Sequence, residues 1–517
     1  MSATRGPQVR AGCHPGSARR WRTGAALVAA LLPVAACAAV TGGVTAAPED
    51  ITVLIDPTEA AGSDEAPVDE WTGDAGAFED HPHRPEGVEI SVAHPEFTGA
   101  AERFSTDLAA QVDRDVRDFR GASREPVGLD IGWEVVAAGE DVLGVRLVRT
   151  ETDLHGTRQA YGTYWYDART GLTRYATELV RDQSALEELN GLVSAALADD
   201  PDVGAEVLYP VLGTYDSMGF NADGDLVVEF DDGHLSPARE GHPPDPGPGR
   251  ITAVLDAEEV APLLSDLGER ARTASLVEEP DLDVPEPSVE HEARPAVPGE
   301  ITAGTGQDCS AEDAKCVALT FDDGPAETTP HLLDILAEEE VPATFFLNGN
   351  PVLTYPHVLR RAYAEGHEIA NHNDLHEHLP EYEADELPAQ MAVVSAIVRR
   401  NTGYTVDLFR PPFGASSPEI RQEIGDQDMA EVLWSSDSED WMDIDRDEIV
   451  ERVLHQAEPG GVVLLHDTLP TTLAAVPEIV ERLREEGYVL ATVSETLGDP
   501  EVGESYPEGE TVPEIEG

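Results

Sequence analysis

The stretch CVALTFDDGP, residues 316–325, places an apolar run directly before two adjacent carboxylates. The run 317–321 is typical of a buried strand, and the Gly-Pro pair that follows Asp322 and Asp323 marks its end. Two like charges at the tip of a buried strand are unfavourable unless a cation compensates them. The alternative is an ordinary turn or helix cap, which is the usual role of Asp before Gly-Pro. The rest of the sequence has to decide between these interpretations.

Short apolar strands alternate with amphipathic helices between residues 306 and 498. The strand segments are CVALTF, ATFFLNG, HEIAN, VDLFRPPFG, AEVLWSSD, GVVLLHD and YVLATV. Seven such alternations with short connections predict a parallel sheet that closes, or nearly closes, into a barrel. The expected fold class of this part is α/β, a (β/α)7-type barrel.

The residues before the barrel have a different texture. Residues 88–275 mix strand and helix patterns, which predicts a smaller α+β domain. Its expected elements include a helix over AAERFSTDLAAQVDRDVRDF and a final helix over AEEVAPLLSDLGERA. Segments 38–87 and 276–305 are acidic and rich in proline, so the first is expected to be disordered and both to be linkers. Residues 499–517 are expected to form an acidic tail.

The N-terminus predicts export. An arginine-rich region precedes an alanine-rich apolar segment, as in signal peptides. The sequence VAAC at 34–37 resembles a bacterial lipoprotein box, in which Cys37 would carry lipid, so residues 1–37 are predicted to be a signal peptide with a lipobox. An ordinary signal peptide or an uncleaved anchor is the alternative. The protein is therefore expected on the outer face of the cell membrane, in the cell wall, or secreted.

Charge and cysteine content limit the function further. The formal net charge is -69, with 102 acidic against 33 basic residues, which argues against nucleic acid as a partner. Cys13 and Cys37 lie in the signal region, which leaves Cys309 and Cys316 as an isolated pair. A disulfide between them suits an oxidising compartment. Two free thiols are the alternative.

Ionisable residues follow several of the predicted strands. In a parallel barrel the carboxyl ends of the strands converge on one mouth. Two histidines and one carboxylate suit zinc or a similar ion, a second carboxylate can take a proton from water, and a further histidine can protonate a leaving group. The sequence therefore predicts a metal-dependent hydrolase. The candidate residues are Asp322, Asp323, His372, His376, Arg410, Asp437, Asp440, Trp441, His466 and Asp467.

Five motifs in this region resemble those of one family. TFDDGP, H-x-x-x-H, RPPFG, DSEDW and VLLHD occur in the order found in polysaccharide deacetylases, the NodB homology domain of carbohydrate esterase family 4. The resemblance covers 306–498 and implies a distorted (β/α) barrel. It also implies a hydrolase that removes N-acetyl or O-acetyl groups from chitin, peptidoglycan or xylan. Peptidoglycan is the leading expectation, because a membrane tether would hold the site beside the wall.

The resemblance also implies roles for the metal ligands and the base. Asp322 matches the general base of the first motif. Asp323, His372 and His376 match the ligands of a divalent metal. Zinc is expected first, with Co2+, Ni2+ or Mn2+ as alternatives. Arg410 matches the arginine that pairs with the base.

The remaining motif positions imply an acid and a pocket. Asp440 would orient His466, the general acid. The backbone N–H of Phe413 would help to stabilise the oxyanion. Trp441 and Leu465 would line the pocket that receives the acetyl methyl group.

Three positions depart from the family pattern. Asn373 stands where Ser or Thr is usual, Glu377 where Pro is common, and Phe413 where Tyr is usual. None of these changes removes a ligand or a proton-transfer group. An active enzyme is therefore expected.

Two other functions remain open at this point. The same motifs serve O-acetyl esterases acting on xylan and chitooligosaccharide deacetylases. The 88–275 region resembles the extracellular module of some membrane-bound anti-sigma factors, one group of which binds lysozyme. A sensor that binds glycan or lysozyme, with a secondary barrel, is the alternative from another class, and a domain that only positions the barrel in the wall is the simpler one.

Overall fold

The computed structural model describes residues 49–57, 88–122, 126–139, 141–154, 156–204, 207–239, 241–247, 249–288, 296–311, 314–384, 386–442 and 444–507. Among these residues no helix has both the length and the apolar character needed to cross a bilayer. The predicted signal peptide, Cys37 and most of the segment 38–87 lie outside the described residues. All of these described residues belong to one compact unit.

The first part of this unit contains a five-stranded sheet whose spatial order follows the chain. The first two strands are parallel and the others pair antiparallel. A 21-residue helix packs on this sheet through apolar side chains such as Phe104, Leu108 and Val112, at the helical spacing seen in the sequence. These elements are β1 (Glu89–Val92), α1 (Glu102–Ala122), β2 (Gly128–Gly139), β3 (Val142–Asp153), β4 (Gly156–Asp167) and β5 (Leu172–Tyr175).

A second, three-stranded antiparallel sheet completes this part. Its elements are α2 (Gln183–Leu197), β6 (Ser217–Phe220), β7 (Leu226–Phe230), β8 (Ile251–Leu255), α3 (Ala257–Val260) and α4 (Asp266–Ser275). The single helix expected over AEEVAPLLSDLGERA is wrong, since α3 and α4 are separate. Pro262 between them cannot donate a helical hydrogen bond, and the Ser265 side chain starts α4 by accepting from the Gly268 N–H.

Parts of both predicted linkers are packed. Ile51, in the segment expected to be disordered, is 3% exposed, and Ile55 forms a β-bridge with Val135. Val284 and Val297, in the second segment, are 6% and 3% exposed. A few apolar residues are enough to order an acidic segment when each of them is buried against a sheet or a helix.

The second part is a nine-stranded sheet with parallel pairing throughout, surrounded by helices. The predicted α/β alternation is confirmed here. The strands are β9 (Cys316–Asp322), β10 (Thr344–Leu347), β11 (Glu368–Asn371), β12 (Leu408–Phe409), β13 (Ala430–Val432), β14 (Ser436–Asp437), β15 (Gly461–His466), β16 (Val489–Ala491) and β17 (Ser505–Tyr506). The helices are α5 (Thr329–Glu338), α6 (Gly349–Thr354), α7 (Pro356–Ala364), α8 (Leu387–Thr402), α9 (Pro418–Asp426), α10 (Arg446–Gln456), α11 (Pro470–Glu485) and α12 (Val493–Leu497).

The sheet is curled so that its ends approach each other. Its order is β14-β15-β9-β10-β11-β12-β13-β17, with β16 also pairing with β9. The segment AEVLWSSD, expected to be one strand, forms β13 and β14, which lie near opposite ends of this order. Only residues 433–435 connect them, so the ends must be close in space. The last paired strand, β17, comes from the predicted tail.

Side chains of the central strand β9 alternate between two apolar environments. Val317, Leu319 and Phe321 pack under the helices. Ala318 faces the barrel interior together with apolar residues of other strands. Burial on both faces explains the continuous apolar run in the sequence, and it fixes the tip of β9 at the mouth of the barrel.

A disulfide joins Cys309 to Cys316, the first residue of β9, with the two Cα atoms 5.8 Å apart. It fixes the incoming chain against the start of this strand. The strand that ends in the paired carboxylates is therefore anchored at its other end as well.

The two parts of the unit contact each other through charged side chains. The Arg399 guanidinium donates to both carboxylate oxygens of Asp118, at 2.8 and 3.0 Å. The Arg400 guanidinium donates to both oxygens of Glu151, at 2.8 and 3.2 Å. Both arginines lie at the carboxyl end of α8, and helices of such barrels run back from the mouth. These contacts therefore lie towards the opposite end of the barrel from the mouth.

Candidate active site

Three side chains at the mouth of the barrel form a candidate metal centre. Asp323 follows β9, and His372 and His376 follow β11. The Oδ1 atom of Asp323 lies 3.2 Å from His376 Nε2 and 3.6 Å from His372 Nε2. One ligand atom from each of the three residues lies within 4.8 Å of the others. The structure thus brings together the three ligands that the motifs predict.

The chemistry of these three residues fits a divalent cation. Asp323 Oδ1 is buried and accepts no hydrogen bond from any described residue. The His372 Nδ1–H donates to the carbonyl of Arg410 at 2.7 Å, which leaves Nε2 free to act as a ligand. Burial lowers the pKa of His372 to about 3, so its imidazole is neutral and its lone pair is available at neutral pH.

Unusual backbone conformations aim these ligands. Asp323, Asn373 and His376 have φ angles of 75°, 71° and 53°. Asn tolerates this left-handed region better than most residues, and the Asn373 side chain accepts from the His376 N–H at 2.7 Å. Asn373 is the position where the family pattern has Ser or Thr. Here its side-chain oxygen makes the local hydrogen bond that shapes the ligand loop.

Asp322 is held beside the metal centre by a buried arginine. Arg410 Nη1 donates to Asp322 Oδ1 at 2.7 Å and to Thr320 Oγ1 at 2.8 Å. Two more guanidinium nitrogens donate to the carbonyls of Val432 and Leu433, each at 3.0 Å. Burial raises the pKa of Asp322, and the charge of Arg410 opposes that rise. A carboxylate of raised pKa next to a metal centre is suited to accept a proton from water.

His466 lies at the tip of β15 and faces the same centre. Its Nε2 lies 4.0 Å from Asp323 Oδ2. Its Nδ1–H donates to Asp440 Oδ1 at 2.7 Å, and the Thr472 hydroxyl donates to Asp440 Oδ2 at 2.6 Å. Burial lowers the pKa of His466, but the hydrogen bond and charge of Asp440 outweigh it and raise this pKa to about 9. His466 is thus protonated at neutral pH and able to donate a proton.

The predicted pocket residues occupy different surroundings. Phe413 is 49% exposed and its backbone φ is 61°. The centroid of its ring lies 4.7 Å from the centroid of the His376 ring. Trp441 follows Asp440 and is 48% exposed. The structure does not bring Leu465 to the mouth. Side chains alternate along a strand, so Leu465 lies opposite to His466, in the core under the helices, and Leu464 shares the face of His466.

Several supporting residues were not predicted from the sequence. The Asn348 amide donates to the carbonyls of His372 and Asn373, at 2.6 and 3.1 Å. The Thr320 and Thr472 hydroxyls bind Arg410 and Asp440. Thr320 could have been predicted from the sequence LTFDD, because it is a polar residue inside an otherwise apolar strand. Thr472 and Asn348 reach the site only through the path of the chain in space.

Comparison with known proteins assigns the family. A family model for polysaccharide deacetylase matches residues 310–432. The chitooligosaccharide deacetylase of Sinorhizobium fredii is 34% identical over 199 residues, which are 36% of this chain and 93% of that protein. The chain belongs to the polysaccharide deacetylase family.

The names of two further relatives of this family member say that they act on peptidoglycan. Peptidoglycan-N-acetylmuramic acid deacetylase PdaC of Bacillus subtilis is 40% identical over 182 residues, 35% of this chain and 38% of that protein. Peptidoglycan-N-acetylglucosamine deacetylase PgdA of Listeria monocytogenes is 35% identical over 198 residues, 38% of this chain and 42% of that protein. The chain thus spans about two fifths of the length of these two relatives. Deacetylases of the family depend on a divalent metal, which agrees with the candidate centre.

Proposed function

We propose that this protein removes N-acetyl groups from a cell-wall polysaccharide, peptidoglycan first, and releases acetate. One observation carries the proposal. A carboxylate and a histidine flank the candidate metal centre from two sides, with Asp322 Oδ2 3.7 Å from His372 Nε2 and His466 Nε2 4.0 Å from Asp323 Oδ2. An amide bond placed there has a proton acceptor and a proton donor within reach.

The side chains of the site divide the reaction between them. A divalent ion, when bound, supplies Lewis-acid chemistry that acidifies water and draws charge from a carbonyl. Asp322 takes the proton of the attacking water, oriented by Arg410. His466 gives its proton to the departing amine nitrogen, and Asp440 stabilises its charged form. The backbone N–H of Phe413 is proposed to help hold the developing oxyanion, and Trp441 to contact the acetyl group.

The metal is proposed to be zinc. Two imidazoles and one carboxylate match three-ligand zinc sites that keep a position open for water. Co2+, Ni2+ and Mn2+ accept the same donors. Reconstitution of chelated protein with each ion, followed by acetate release, orders these candidates.

Acetate release from purified peptidoglycan tests the function. With zinc, the full chain is expected to release acetate, and Asp322→Asn is expected to lose this activity while it still binds the metal. Asp334→Asn is the matched control, because Asp334 is 61% exposed in its side chain, on a helix of the barrel. If neither peptidoglycan nor chitooligosaccharides release acetate with any of the four ions, the proposal is wrong. Release only from acetylated xylan would identify an O-acetyl esterase instead.

Export and attachment to the membrane are proposed as well. The disulfide between Cys309 and Cys316 is the type of bond that persists outside the reducing cytosol. Cys37 is proposed to carry lipid, and a freely secreted form is the alternative. Metabolic labelling with a fatty acid is expected to mark the wild-type chain and not Cys37→Ser.

The region 88–275 is proposed to position the barrel rather than to take part in its chemistry. The pairs of Arg399 with Asp118 and of Arg400 with Glu151 attach it to α8 at the side of the barrel. Binding of glycan or lysozyme by this region follows only from its resemblance to anti-sigma modules. Titration of the full chain with lysozyme and with soluble glycan tests that function, and tight binding without acetate release would favour the sensor.

A further inference from the structure

One buried carboxylate at the mouth has no role in the proposed reaction. Asp467 directly follows His466 and is fully buried. Its Oδ2 atom accepts from the Thr329 hydroxyl at 2.5 Å, and its backbone carbonyl accepts from the Thr328 hydroxyl at 2.6 Å. Thr329 Oγ1 accepts in turn from the Ala326 N–H at 2.7 Å. The segment that leaves β9 is therefore bound to the residue that follows the acid.

Gly324 packs directly on the same carboxylate. A Cβ atom at this position would lie 2.0 Å from Asp467 Oδ2, so any larger residue would displace the Asp467 carboxylate. The Gly324 carbonyl accepts from the Asn348 N–H at 3.1 Å, and the Asn348 side chain donates to the carbonyl of His372. Asp467 thus belongs to a chain of contacts that joins the loops of two metal ligands.

Asp323 lies where regular pairing ends. The last paired residues of β9 and β15 are Asp322 and His466, so no ladder fixes the backbone of Asp323. Its φ of 75° is costly for a residue with a side chain and needs neighbours that hold it. Gly324, the next residue, packs against the Asp467 carboxylate and accepts a hydrogen bond from the Asn348 N–H.

We propose that Asp467 is a positioning residue that holds Asp323 in its left-handed conformation and so sets the geometry of the metal ligands. The proposal rests on the metal centre of the proposed function. It concerns the affinity for the ion, which is measurable whether or not acetate is released.

The test compares three variants of the full chain by competition of Zn2+ between protein and a chromogenic chelator. Asp467→Ala is expected to weaken Zn2+ binding at least about tenfold, because Asp323 loses its support. Asp467→Asn is expected to stay within about threefold of wild type, since its oxygen can still accept from Thr329 and its amide replaces Oδ1, which has no hydrogen-bond partner among the described residues. Glu368→Ala is the matched control. Glu368 is another buried carboxylate, which accepts from Thr344 Oγ1 at 2.7 Å and starts β11 at the other end of the barrel.

The outcomes separate positioning from general stability. Wild-type Zn2+ affinity in Asp467→Ala would overturn the proposal, as would an equal loss in Glu368→Ala. If Asp467→Ala does not fold, Gly324→Ala perturbs the same contact from the other side and is expected to weaken Zn2+ binding in the folded protein. Unchanged affinity in Gly324→Ala would then overturn the proposal. Tight Zn2+ binding without acetate release would refute the proposed function and leave this inference standing.

Discussion

At the residue scale, the ion pair between Arg410 and Asp322 lies buried beside the candidate metal centre. Both side chains are buried, with exposures of 0% and 3%. A buried pair is expensive to desolvate, and removal of one partner leaves the other charge without compensation. The pKa of Asp322 is already raised by burial and is kept from rising further by Arg410.

Arg410→Met should therefore damage both stability and activity. We expect the free energy of unfolding to fall by about 3–5 kcal/mol at neutral pH. The loss should be larger at pH 8 than at pH 5, because the ionised form of Asp322 is the one that lacks its partner. Acetate release at pH 7 should fall at least about 100-fold, since the loss of Arg410 raises the pKa of Asp322 further and removes the hydrogen bond that orients this base.

Urea unfolding at both pH values and acetate release measure these effects. Arg361→Met is the control, because Arg361 pairs with Asp334 and Glu365 at the edge of the barrel. Retention of activity in Arg410→Met would show that Asp322 does not need this cation.

The hydrogen bond between His466 and Asp440 leads to a prediction about how activity depends on pH. The pKa of His466 is lowered by burial and raised by Asp440, with a net value of about 9. In Asp440→Asn the largest contribution that opposes burial is lost and only the charges of Asp322 and Asp323 still raise the pKa of His466, so this pKa should fall below its value of about 9. Because the reaction uses protonated His466, the alkaline limb of the activity profile should move to lower pH, and activity at pH 8 should fall more than at pH 6.

The pH profile of acetate release, measured from pH 5 to 10, checks this shift. Thr472→Val removes one neutral donor to Asp440 and should move the limb only slightly. An unchanged alkaline limb in Asp440→Asn would mean that His466 does not supply the proton.

At the element scale, the central strand β9 is held by three neighbours and one covalent link. It pairs with β10, β15 and β16, and the disulfide anchors its first residue. The sheet alone should keep the strand in register. The disulfide should therefore matter for stability and little for geometry.

Replacement of Cys309 and Cys316 by serine tests this expectation. Closing a loop of this length contributes about 2–3 kcal/mol through the entropy of the unfolded chain. The double variant should lose about that much free energy of unfolding and keep its kcat and Zn2+ affinity. The comparison is with wild type in the presence and absence of reductant. A large loss of Zn2+ affinity in the folded variant would show that the link also shapes the mouth.

Some of the strands and helices could be predicted from the sequence pattern and others could not. The alternation of strands and helices, and α1 with its apolar stripe, follow from side-chain periodicity. β2 (Gly128–Gly139) was not predicted, although it is among the longest strands, because glycines and charged residues interrupt its apolar pattern. The division of residues 430–437 into β13 and β14 was also missed. Local sequence does not show that a chain leaves one edge of a curled sheet and joins the other.

At the scale of the whole molecule, the first part and the barrel pack closely against each other. A Cβ atom at Gly213 would lie 2.5 Å from the backbone of Asn401, at the end of α8. Such an approach between backbones requires glycine. The contact lies beside the pair of Arg400 with Glu151.

Gly213→Ala is therefore expected to destabilise the protein by about 1–3 kcal/mol, because overpacking forces the two parts away from each other. Gly191→Ala is the matched control, since nothing lies within 4 Å of its added Cβ on α2, and there alanine should stabilise by about 0.5–1 kcal/mol. Urea unfolding measures both variants. Equal stability of the two would show that the contact between the parts is loose.

The sequence by itself determined the chemistry of the site. The order of motifs identified Asp322, Asp323, His372, His376, Arg410, Asp440 and His466, because ionisable groups at the tips of apolar strands have few structural uses. Only the tertiary structure decided their supports. Leu465 faces away from the mouth because strand alternation fixes its side, and Asp467, Asn348 and Thr472 act through neighbours that are distant in sequence. Such contacts depend on how strands and loops meet in space, and no local pattern encodes that.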